Sequence, residues 1–105
     1  MKIKWQIEAE KEYLALVKHC ADVFGRNATK ELVISVEATL AYLTMSTKMG
    51  KPEVQLQDYP QSYLFLAIRK RVKLVYRVDK ANDVIYIVDC WHIPRKSKTA
   101  IARGR

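Results

Sequence analysis

Cysteine, glycine and proline are all scarce: two, three and three residues in a chain of 105. Cys20 and Cys90 stand alone, without a Cys-x-x-Cys spacing, so neither a zinc site nor a disulfide framework is indicated. Both are expected to be small core residues, no metal or cofactor is implied, and cytoplasmic localisation is expected. Long apolar runs are missing too, since nothing approaches the roughly 20 residues that span a bilayer. Met1-Lys2-Ile3-Lys4-Trp5 runs into charged residues without a continuous apolar segment, which is not the pattern of a signal peptide. No membrane partner is expected. Carboxylates are in short supply: 11 Asp and Glu face 19 Lys and Arg, for a net charge of +8. Such a surplus suits a polyanionic partner, either nucleic acid or an acidic protein segment.

The surplus is uneven. Arg69, Lys70, Arg71, Lys73 and Arg77 form one block; Arg95, Lys96, Lys98, Arg103 and Arg105 form another with no acid among them. The first block lies in the stretch with the strongest strand signal. Two runs rich in Val, Ile and Tyr, residues 71–78 and 84–93, flank a polar turn at residues 79–83. In the first run Val72, Leu74, Tyr76 and Val78 share one face, and Arg71, Lys73, Val75 and Arg77 share the other. In the second, period two predicts Tyr86, Val88, Cys90 and His92 on one face and Ile85, Ile87, Asp89 and Trp91 on the other. An acid on the apolar parity means that Asp89 either pairs with a cation or marks a bulge. Antiparallel pairing of the runs is expected to bring the His92 imidazole near the cationic side of its neighbour.

Upstream, Lys2-Ile3-Lys4-Trp5 alternates as a short strand. Ala9, Tyr13, Leu16, Val17, Cys20 and Phe24 recur at helical spacing, predicting a helix over about residues 8–24 that ends at Gly25. Asn27 is placed to cap a second helix running to about Met45, with Leu32, Val36, Leu40 and Leu43 as its stripe. Residues 48–62, with Gly50, Pro52 and Pro60, read as a loop with a short extended piece near 54–56. A strand over 63–68 follows. The order β-α-α-β-β-β predicts an α+β domain over residues 1–95, a helical hairpin on one face of a small, mostly antiparallel sheet with the other face partly open. Residues 96–105 are expected to form a basic C-terminal tail.

Four segments together resemble the RelE/ParE superfamily, the toxin components of bacterial type II toxin–antitoxin pairs. They are Lys4-Trp5 followed by Ala9; the hairpin ending in Leu43 and Met49-Gly50-Lys51-Pro52; Val72-Lys73-Leu74-Val75-Tyr76-Arg77-Val78; and Val88-Asp89-Cys90-Trp91-His92-Ile93-Pro94-Arg95. The resemblance covers roughly residues 2–96. It implies a cognate antitoxin that offers an acidic segment, and one of two actions. RelE-like members cut mRNA on the ribosome; ParE-like members inhibit DNA gyrase without nuclease chemistry. An inactive family member is a third possibility.

Metal-free RNA cleavage needs a base for the 2′-hydroxyl, cations for the charged phosphorane and an acid for the leaving oxygen. By motif match the resemblance assigns catalytic roles to Lys73, His92 and Arg95; strand parity adds Arg77, and the basic blocks add Arg69, Arg71 and Lys96, as nucleic-acid contacts. Lys73 stands where the family often has arginine, which keeps the charge and loses the bidentate fork. No tyrosine follows Arg95. Ribosome-dependent cleavage of mRNA is the first expectation, and gyrase binding the alternative.

Overall fold

The computed structural model describes residues 1–60 and 62–93. Its elements are β1 (Lys2–Trp5), α1 (Ile7–Phe24), α2 (Arg26–Met45), β2 (Lys51–Pro52), a 3-10 turn at Val54–Leu56, β3 (Leu64–Ile68), β4 (Val72–Asp79) and β5 (Val84–His92). They form one five-stranded sheet in the order β1-β5-β4-β3-β2. β1 runs parallel to β5 and the other pairings are antiparallel. The expected β-α-α-β-β-β order therefore holds, with the two-residue β2 added and a 3-10 turn where an extended piece was expected. The tail, residues 96–105, lies outside the described residues.

Only Gly25 separates the two helices. Its φ of 88° and ψ of −178° occupy a region that only glycine enters cheaply. The Gly25 N–H donates to Ala21 O and closes α1, while its own carbonyl accepts from the Thr29 N–H and Oγ1 and opens α2. Gly25, rather than Asn27, thus holds the N-cap position, and no side-chain oxygen caps α2 there.

The hairpin packs its Ala9, Cys20, Leu32, Val36 and Leu43 against Val72, Leu74, Tyr76, Ile85, Ile87 and Cys90 of the sheet. The expected helix-facing stripe on β4 is correct. On β5 the expected alternation fails midway. Val75 pairs with Asp89, yet Tyr76 pairs with Ile87, so Val88 is an extra residue in the ladder. This β-bulge reverses parity. Ile85 and Ile87 face the helices before it and Cys90 after it, while Tyr86, Val88 and Trp91 point outward. Asp89, 5% exposed, accepts the Cys90 N–H at 2.9 Å beside the interruption. The bulge that its parity signalled is present.

The outward face is only half open. Leu56, carried by the 3-10 turn, joins Val75, Val88 and Trp91 in a second small core. The Tyr76 hydroxyl reaches out of the main core to hold the loop leading there. It donates to Thr47 O at 2.9 Å and accepts from the Gly50 N–H at 3.0 Å.

Candidate functional site

Lys73 belongs to the outward face of β4, and its position there is closed. Its Nζ lies 2.7 Å from Glu53 Oε1, with the two side chains 16% and 4% exposed. The ammonium also sits over the rings of Phe65, at 4.3 Å, and Trp91, at 5.0 Å. Glu53 is carried there by the loop, whose Glu53 N–H donates to Tyr63 O at 2.8 Å. Two facing charges that have left water hold each other strongly, and removing either leaves the other stranded. The cation expected to meet a phosphate is therefore engaged within the fold. The pairing of Glu53 with Lys73 spans 20 positions along the chain and carries no periodic signature.

His92 is on the other side of the sheet. The bulge moves it off the cationic face, and it pairs in register with Val72. With Trp91 it lines a cavity of about 290 Å³ between the helical hairpin and the start of β4, shared with Glu12, His19, Arg69 and Arg71. The expectation that His92 would lie near the cationic side of β4 is thus corrected: parity counted straight through the bulge placed it on the wrong face. Cys90, next to His92 and buried, is no nucleophile. Burial first, then the charges of Asp89 and Glu12, push its thiol up to about 12.

The remaining cations divide by location. Arg69 and Lys70 are not in a strand; both adopt left-handed conformations, at φ 54° and 56°, in the tight turn between β3 and β4. Arg69 Nη2 lies 3.3 Å from Glu31 Oε1, and its Nη1 donates to Ser35 Oγ at 3.3 Å. Arg71 lies over the Phe24 ring at 5.4 Å. Arg77 faces outward at the other end of β4, its guanidinium 4.3 Å from the Tyr86 ring centre. Arg95 and Lys96 lie outside the described residues. Of the sequence candidates, then, Arg69, Arg71 and His92 share one cavity, while Lys73 and Arg77 sit across the sheet from it.

No cluster of His, Cys, Asp and Glu suited to a metal ion occurs among the described residues, and none of their helices is long and apolar enough to cross a membrane. No protein-family model matches the chain, and no curated protein matches it in sequence. Among solved structures, a chain of "Chromosomal ParDE TA system from P. aeruginosa" aligns over 89% of this chain and 96% of its own, with TM-score 0.68 and 17% identity. The two-helix, mixed-sheet architecture described above, laid over nearly the whole of that chain, is the RelE/ParE-like fold that the resemblance implied.

Proposed function

We propose that this protein is the toxin of a type II toxin–antitoxin pair and that it acts by gripping a protein target, in the ParE-like manner directed at DNA gyrase, rather than by cutting RNA. The observation that carries this reading is the separation of the candidate catalytic groups. Lys73 is held by Glu53 under the 3-10 turn, and His92 opens on the opposite face. General acid–base catalysis at one phosphate needs base, acid and cation within hydrogen-bond reach of it, and Lys73 and His92 do not converge in that way. The architecture shared with a ParDE chain supports the toxin reading and an antitoxin as partner. A net charge of +8 favours an acidic antitoxin segment that folds on binding.

One observation favours the runner-up, ribosome-dependent mRNA cleavage. His92, Arg71 and Glu12 line one cavity, so an imidazole, a guanidinium and a carboxylate border the same space on the helix side. Expression without antitoxin separates the readings. Under the proposal, growth stops, plasmid supercoiling changes, mRNA stays whole and His92→Ala remains toxic. Cut mRNA in the wild type, abolished by His92→Ala in a variant that still melts cooperatively, would overturn it.

A further inference from the structure

The basic block conspicuous in the sequence is largely occupied in the structure, by Glu53, Glu31 and the ring of Phe24. A second cationic region forms at the opposite end of the sheet from residues scattered along the chain. Lys4 of β1 pairs in register with Tyr86 of β5, which pairs with Arg77 of β4. Successive residues of a strand alternate faces, and cross-strand partners share one. Lys4, Tyr86 and Arg77 therefore form a row across three strands on the outward face. Lys2 belongs to the same face one pair further along. Around the end of the sheet, Lys48 and Lys80 line an open cleft of about 610 Å³ beside Arg77, with Thr47 and Ser62.

None of Lys2, Lys4, Lys48, Arg77 and Lys80 enters an ion pair among the described residues. Among the described residues, the turn between β4 and β5 at this end carries the acids Asp79 and Asp83. Asp79 turns both carboxylate oxygens to Asn82, accepting from its N–H and its Nδ2. Five cations thus outnumber two acids, and one of those acids is engaged in its own turn. Arg77 is half-buried and its guanidinium lies over the Tyr86 ring, a contact that limits the side-chain entropy left to lose on binding. A ring already stacked on arginine is a support for charge more than a platform for bases. That arrangement favours contact with a phosphate backbone and no reading of sequence.

We propose that the end of the sheet formed by Lys2, Lys4, Arg77 and Lys80, with Lys48 at its edge, is a sequence-independent site for the phosphate backbone of duplex DNA. The site is separate from the His92 cavity and does not depend on the toxin reading, because it concerns binding by the isolated protein. For a protein whose target works on DNA, it would add affinity for the DNA-bound form of that target.

The test is anisotropy of a labelled 20-base-pair duplex against the purified full chain, from 50 to 200 mM salt. Neutralising phosphate contacts should give log-linear salt dependence, and each lost contact should reduce the slope by about 0.9. The triple variant Lys4→Gln, Arg77→Gln, Lys80→Gln should therefore lower the slope by about 2.7. The control Lys11→Gln, Arg26→Gln, Lys30→Gln removes the same net charge elsewhere and should keep the wild-type slope. Circular dichroism confirms that both triples are folded. Equal losses in the two triples would reduce the effect to net charge and overturn the site. Absence of salt-dependent duplex binding at 50 mM would also overturn it. Tighter binding of a poly-glutamate peptide than of the duplex assigns the surface to an acidic protein, and a preference for single-stranded RNA assigns it to RNA; either result rejects the proposal.

Discussion

The outward face of the sheet carries the same motif twice, a cation laid over an aromatic ring, with opposite consequences. At one end Lys73 sits over Phe65 and Trp91; at the other Arg77 sits over Tyr86. The difference comes from a loop. Residues 51–60 bring Glu53 to Lys73 and Leu56 to the second core, so charge and ring are sealed there. Among the described residues no such cover reaches Arg77. A lysine that pairs with an acid under a lid holds the fold together, whereas an arginine laid over a ring with no salt bridge among the described residues keeps its donors available. Charge counted along a strand does not tell these cases apart.

The comparison breaks most visibly at Glu53. Glu53→Ala strands a largely buried ammonium and should cost about 3 kcal/mol, read by chemical denaturation. Removing both charges with Lys73→Met and Glu53→Leu should recover most of that loss, because apolar groups of similar volume replace a buried pair well. A double variant as unstable as Glu53→Ala would show that the pair is more than mutual compensation.

The anchor of the lid comes next. A Cβ on Gly50 would lie 2.6 Å from the Tyr76 hydroxyl and 2.8 Å from Phe65 O. Gly50→Ala should therefore destabilise by about 1–3 kcal/mol, as overpacking does. It should also raise hydrogen exchange through residues 50–56 while the β4–β5 ladder stays protected. Uniform loss of protection would make the lid part of the main cooperative unit.

Smaller and opposite in sign is Lys70→Gly. Lys70 holds φ 56° in the β3–β4 turn, a conformation glycine takes without the Cβ penalty. The variant should gain about 1 kcal/mol, the lower end of the cost of a left-handed non-glycine residue. If stability falls instead, Lys70 makes a compensating contact that outweighs the strain.

At the open end effects should be small. Arg77→Ala should cost at most about 1 kcal/mol, the range of an exposed cation–π contact. A much larger loss would make Arg77 a structural residue like Lys73 and erase the contrast. Smallest is the titration of Asp79, whose carboxyl is held below the ordinary carboxylate range by the Asn82 side chain first and the Asn82 N–H next. Its folded pKa is depressed, so its contribution to stability is present above the unfolded value of about 3.9 and is lost as pH falls through the lower folded value. In Asn82→Ala the Asp79 resonance should titrate at higher pH. An unmoved titration would assign the depression to Arg77.

How much of this was legible in the chain varies by element. Helix periodicity and Gly25 marked the hairpin to within a residue or two, and the alternation from Val72 to Val78 identified the helix-facing side of β4. These are local signals, each settled by neighbours within a few positions. His92 was misplaced because one additional residue at Val88 reverses every side chain after it, and only pairing with β4 reveals the insertion. Asp89, an acid on an apparently apolar parity, was the one visible warning.

By itself the sequence determined the α+β class, the hairpin, the core stripe and the cationic surplus, because composition and short-range period dictate those through burial and backbone geometry. The tertiary structure decided which cations are spent and which remain. Glu53 meets Lys73, and Lys4 joins Arg77 across Tyr86, only when the strands close in register. Ion pairing acts at contact distance in space, and separation along the chain carries no record of it.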